Sequence, residues 1–85
     1  MQDVKEIIGI VMRVLDQAEI AEAEVIDLGF EAEGELQTLL NDTYIKLLEF
    51  VHDRDLRREN PDLDREQRAA LQKSLSKIIE LCDAD

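Results

Sequence analysis

The chain has 85 residues, enough for one domain spanning 1–85 and near the size at which a core still stands without disulfides, metal or a partner. It is 45% hydrophobic but only 4% aromatic, so the core must come from Leu, Ile, Val and Ala, which suits interdigitating helices. A formal net charge of -11 repels phosphate and anionic lipid and argues against nucleic-acid or membrane partners, while the single cysteine, Cys82, excludes an internal disulfide.

The first predicted helix covers about 3–28. Asp3 reads as an N-cap with Glu6 at N3. Val4, Ile7, Ile8, Val11, Val14, Leu15, Ala18, Ala21, Val25 and Leu28 then recur at helical spacing. Gly29 is placed to end the helix in a left-handed conformation, with Phe30 packing back on Val25. The most apolar stretch, Ile7 to Leu15, is broken by Gly9 and Arg13 and is far shorter than the ~20 residues of a membrane span.

The second predicted helix covers about 31–58. Glu31, Glu33 and Glu35 favour its positive N-terminal end, and Leu36, Leu39, Leu40, Thr43, Leu47, Phe50 and Val51 form one face. Arg57 and Arg58 suit its last turn, and Asn60-Pro61 closes it, because a residue before proline is pushed out of helical geometry. A third helix, about 64–82, opens with Asp64 as N-cap and Gln67 at N3, with Asn60 followed by Pro61 at N1 as the alternative start. It continues through Ala70, Leu71, Ser74, Leu75, Ile78 and Cys82. No alternation or hairpin turn marks a strand, so the expected fold is an all-α, three-helix antiparallel bundle.

Several residues do not fit a simple monomer. Ile10, Met12, Ile20 and Ile26 fall off the stripe of the first helix, and Ile45, Leu48 and Leu56 fall on the back of the second. Two apolar faces on one helix call for a second set of helices, so a two-fold homodimer is expected. Glu22 follows Ile8 and Leu15 at seven-residue steps, which turns its carboxylate toward the apolar face, where Arg54, water at a nearby helix end or a metal would satisfy it.

Charge is also unevenly spread. Asp16, Glu19, Glu22, Glu24, Asp27, Glu31, Glu33 and Glu35 run without a Lys or Arg among them, whereas Arg54, Arg57, Arg58, Arg65 and Arg68 gather around the second turn. Aspartates and glutamates interrupt that basic cluster, so it makes a poor DNA-binding surface. Glu49-Phe50-Val51-His52 matches the Glu-x-x-His pair of di-iron bundles. One chain lacks a full ligand set, and a site would need Glu22 or Glu19 from across a dimer.

No nucleophile-base pair, phosphate loop or calcium loop is present, and no leader pattern marks the start of the chain, so neither an enzyme nor an exported protein is expected. The expectation is a cytoplasmic, acidic interaction module without a cofactor. It would dimerise through Ile10, Ile20, Ile45, Leu48 and Leu56 and present Glu19, Glu24 and Asp27 to a basic protein. The alternatives are a carboxylate-bridged metal protein and a subunit of a larger complex.

Overall fold

A computed structural model describes residues 3–83, which are all-α with five helices: α1 (Lys5–Leu15), α2 (Glu22–Ile26), α3 (Gly34–His52), α4 (Arg54–Glu59) and α5 (Pro61–Asp83). No helix among them is long and apolar enough to cross a membrane.

The expected helix 3–28 is not continuous. It stops at Asp16, and Gln17 takes a left-handed conformation with φ of 67°. The Ala18 N–H reaches back to the Arg13 carbonyl at 2.9 Å, and the Gln17 N–H reaches that of Val14 at 3.1 Å. These are the two bonds of a Schellman ending, built here around glutamine instead of glycine. The chain then doubles back beside α1. Arg13 meets Glu24 at 2.8 Å, the Gly29 N–H donates to the Glu6 carboxylate at 2.8 Å, and Asp3 and Glu31 exchange backbone hydrogen bonds of 2.7 and 3.0 Å.

Those contacts also reassign three expected caps. Asp3 belongs to the bridge with Glu31, and Val4 takes the N-cap of α1 without a side-chain bond. Glu6 serves Gly29 instead of its own helix. The left-handed glycine is Gly34, with φ of 63°, not Gly29. Phe30 lies against the ring of Tyr44, with centroids 5.5 Å apart.

The predicted second helix is divided at Asp53, whose ψ of 17° departs from helical values. A continuous helix would offer the Phe50 carbonyl to the N–H of Arg54. The Arg57 side chain claims that oxygen instead, through Nε at 2.9 Å and Nη2 at 2.7 Å. The last helix takes its alternative start. The Asn60 carboxamide oxygen accepts the N–H groups of Asp62 and Leu63 at 3.2 and 3.3 Å, which leaves Pro61 at the position where its missing N–H costs nothing.

Pairings fix the directions. Lys46 meets Ser74 at 3.3 Å and Asp53 meets Gln67 at 3.0 Å, so α5 runs antiparallel to α3. The start of α1 lies by Glu31, just ahead of α3, and the turn after it lies by Phe50 and Val51. The chain therefore goes up through α1, down through α2 and its flanking segments, up through α3 and down through α5. Both legs of the first hairpin face one core, which is why Val11, Val14 and Val25 keep helical phase across a reversal. Ile7, Val11, Val14, Val25, Leu40, Leu47, Leu71 and Ile78 are fully buried there, each contributing roughly 1.5–3 kcal/mol of burial. Thr43 joins them because its hydroxyl donates to the Leu39 carbonyl at 2.8 Å.

Candidate functional site: an arginine-lined cleft

The kink at Asp53 and the corner at Asn60-Pro61 fold the arginines of α4 against the start of α5. Arg57 lies over the Phe50 ring, 3.5 Å from its centroid, and Arg68 lies 5.1 Å from the same ring. The two guanidiniums share one carboxylate. Arg57 Nη1 donates to Asp64 Oδ1 at 3.0 Å and Arg68 Nε donates to Oδ2 at 2.9 Å. Arg68 also donates to the Val14 carbonyl, tying the end of α1 into the same cluster. Their side chains are only 10% and 19% exposed, so these bonds act in a desolvated setting. Asp64, expected as a helix cap, instead binds two helices together. The Arg68 hydrogen bond, with help from Arg57, holds its carboxyl below its ordinary range against the opposing effect of burial.

Above this cluster opens a cleft of about 580 Å³ between the turn at Gln17–Ile20 and the α4/α5 corner. Arg54, Arg58 and Arg65 stand on its exposed rim. Arg54 bonds Glu19 at 3.1 Å, and Arg65 pairs with Asp62 on its own helix. Arg58 has no ion-pair partner among the described residues. Ile20, Val51 and Pro61 supply apolar wall.

No family model, curated protein or solved structure matches the chain.

The expected site residues separate into groups. Ile10 is buried in the core, while Ile20 and Leu48 are half-buried and packed against it. Half of the apolar surplus of the first helix, Ile10 and Ile20, is thus absorbed once that helix is two legs sharing one core. Ile45 and Leu56 do remain outside, at 53% and 56% exposure, with Met12, Ile26 and Ile79.

Glu22 is exposed on the first turn of α2, because α1 ends at Leu15 and the seven-residue steps from Ile8 and Leu15 do not run on along one helix; its expected partner Arg54 serves Glu19. Glu24 pairs with Arg13, whose hydrogen bond, with a further one from the Ala21 N–H, lowers its pKa. Asp27 is exposed. Glu49 and His52 are exposed on α3, and among the described residues no three His, Cys, Asp or Glu side chains converge as a metal set.

The five arginines are visible in the sequence. Their arrangement into a cleft is not, because it depends on Glu19 and Ile20 arriving from a turn that carries no glycine.

Proposed function

We propose that the chain is a protein–protein interaction module and not an enzyme, and that the leg returning from α1 to α3 receives a basic partner. The carrying observation is the state of its carboxylates. Asp16, Glu22, Asp27, Glu31, Glu33 and Glu35 are exposed and none forms an ion pair among the described residues. Like charges on this leg and the adjoining first turn of α3 repel one another, and a cationic surface relieves that repulsion while its approach is steered by the field.

Titration of isotope-labelled chain with a lysine-rich peptide tests the reading. The expected result is saturable shifts confined to residues 16–35, weakening steeply with salt. Replacing Glu31, Glu33 and Glu35 by Gln should weaken binding more than neutralising Glu66, Glu80 and Asp83. Equal loss from the two sets, or no saturable shift, overturns the reading.

Homodimer formation belongs to the same proposal, and the exposed Ile45 and Leu56 support it. The Ile10 and Ile20 contribution drops out, because those side chains serve the core. Sedimentation equilibrium at micromolar concentration should return a dimer that Ile45→Lys with Leu56→Lys converts to monomer. A monomer at the outset, with these residues covered only on co-purification with a different chain, assigns the face to a larger complex instead.

A further inference from the structure

The arginine-lined cleft lies at the turn end of the bundle, and the interaction reading above does not use it. The geometry points to a binding site there for a small ligand bearing a multiply charged phosphate.

An acidic chain places five of its ten Lys and Arg residues around one cleft, where only Glu19 and Asp64 among the lining residues oppose them. Counted over its lining residues the cleft carries a positive excess, which Asp62 on the rim reduces by pairing with Arg65, on a protein whose net charge is -11. Its arginines divide into two classes. Arg57 and Arg68 are fixed on Asp64, the Phe50 ring and the carbonyls of Phe50 and Val14. They form a rigid floor with two guanidiniums to one carboxylate. Arg54, Arg58 and Arg65 stand on the rim and remain available.

Arg58 has no ion-pair partner among the described residues, and the competitors of Arg54 and Arg65 are weak. Glu19 is 84% exposed and Asp62 77%, so their bonds are worth little in water and yield to a stronger anion. Guanidinium forks match phosphate oxygens in pairs, and three of them around a positive floor suit an anion of two or more charges. The volume lies within the range of small-molecule pockets. Ile20, Val51 and Pro61 would face the uncharged part of the ligand. The Phe50 ring is already occupied by Arg57 and Arg68, so base stacking there adds nothing to recognition.

The test is calorimetric titration of the full chain with inorganic pyrophosphate at low ionic strength. The expected result is saturable, one-to-one binding that Arg58→Glu with Arg65→Glu weakens about tenfold or more. Both positions are exposed, and an unchanged helical circular dichroism spectrum checks the fold. Lys73→Glu with Lys77→Glu makes the same change in net charge outside the cleft and should alter affinity less than about twofold.

Equal weakening by both pairs, or no saturation at millimolar pyrophosphate, overturns the proposal. Citrate binding as tightly as pyrophosphate replaces phosphate recognition by carboxylate recognition. Affinity that climbs with the length of a single-stranded oligonucleotide replaces the small ligand by nucleic acid. Either result also overturns the assignment.

Discussion

The returning leg, from Asp16 to Glu33, and the α4/α5 corner, from Asp53 to Arg68, both reverse the chain and both are rich in charge. They use that charge differently. On the leg most carboxylates stand in water without partners, and the segment is held by Val25, by backbone bonds at Asp3 and Ala18, by the Glu6 carboxylate on the Gly29 N–H and by the solvent-exposed Arg13–Glu24 pair. At the corner, two guanidiniums and one carboxylate are drawn together over an aromatic ring and largely withdrawn from solvent. An exposed charge costs and contributes little, whereas a desolvated one must keep its partner. The corner's charges thus fix the fold, and the leg's charges remain free to act on something else.

Removing the shared carboxylate attacks that difference most directly. Asp64→Asn leaves Arg57 and Arg68 part-buried without their counter-charge and should cost roughly 2–4 kcal/mol in urea unfolding. That is a large share of the stability of a domain this small. A loss below about 1 kcal/mol would place the corner in the same class as the leg. Neutralising Glu31, Glu33 and Glu35 together should instead leave stability unchanged or slightly raised, because it relieves repulsion.

Acid should erase the gap between wild type and Asp64→Asn. The folded carboxyl titrates below its ordinary value of 3.8, so its contribution is complete above that value. The contribution is lost as pH falls through the lower, folded value. The two proteins should therefore differ at neutral pH and converge in acid, once the pH lies well below the ordinary value of 3.8, as followed by urea melts at both ends. A gap that persists in acid would mean that the substituted carboxamide disturbs packing instead of charge.

Gln17 gives a smaller effect of opposite sign on the leg. Left-handed geometry costs an L-residue roughly 1–2 kcal/mol, which glycine avoids at some cost in chain entropy. Gln17→Gly should raise stability by about 0.5–1 kcal/mol, visible as a higher Tm. A lower Tm would show that the Gln17 side chain contributes more than its backbone costs.

The same residue marks the limit of what the sequence discloses. The helical class, the inner face from Leu36 through Thr43 to Phe50, and the break at Asn60-Pro61 are all legible, because periodicity and proline act locally. The reversal at Gln17 is not. Two short legs packed on one core can preserve the hydrophobic phase of a single long helix, and only the off-stripe Ile10 and Ile20 signal the fault. In the sequence those residues read as a dimer face, whereas Ile10 lies in the core and Ile20, itself on the second leg, packs against that core. Glu22 misleads for the same reason: its inward aim holds only along a helix that in fact ends well before it. The arginines of the candidate cleft can be counted in advance, but Asp64 reads as a cap; its i,i+4 bond to Arg68 is local to α5, whereas its bond to Arg57 of α4 follows from tertiary contact.

The smallest predicted effect lies where the two regions touch. Glu19 comes from the leg, Arg54 from the corner, and their 3.1 Å bond is largely in solvent. Glu19→Gln should change stability by less than about 0.5 kcal/mol, and by less still at high salt, because an exposed pair gains little Coulomb energy and orders two long side chains. Thermal melts at two salt concentrations measure this. The same variant frees the Arg54 guanidinium, so pyrophosphate should bind more tightly while Tm stays nearly fixed. A large loss of stability would instead make this bond a clamp between leg and corner, and the division of labour between the two regions would fall with it.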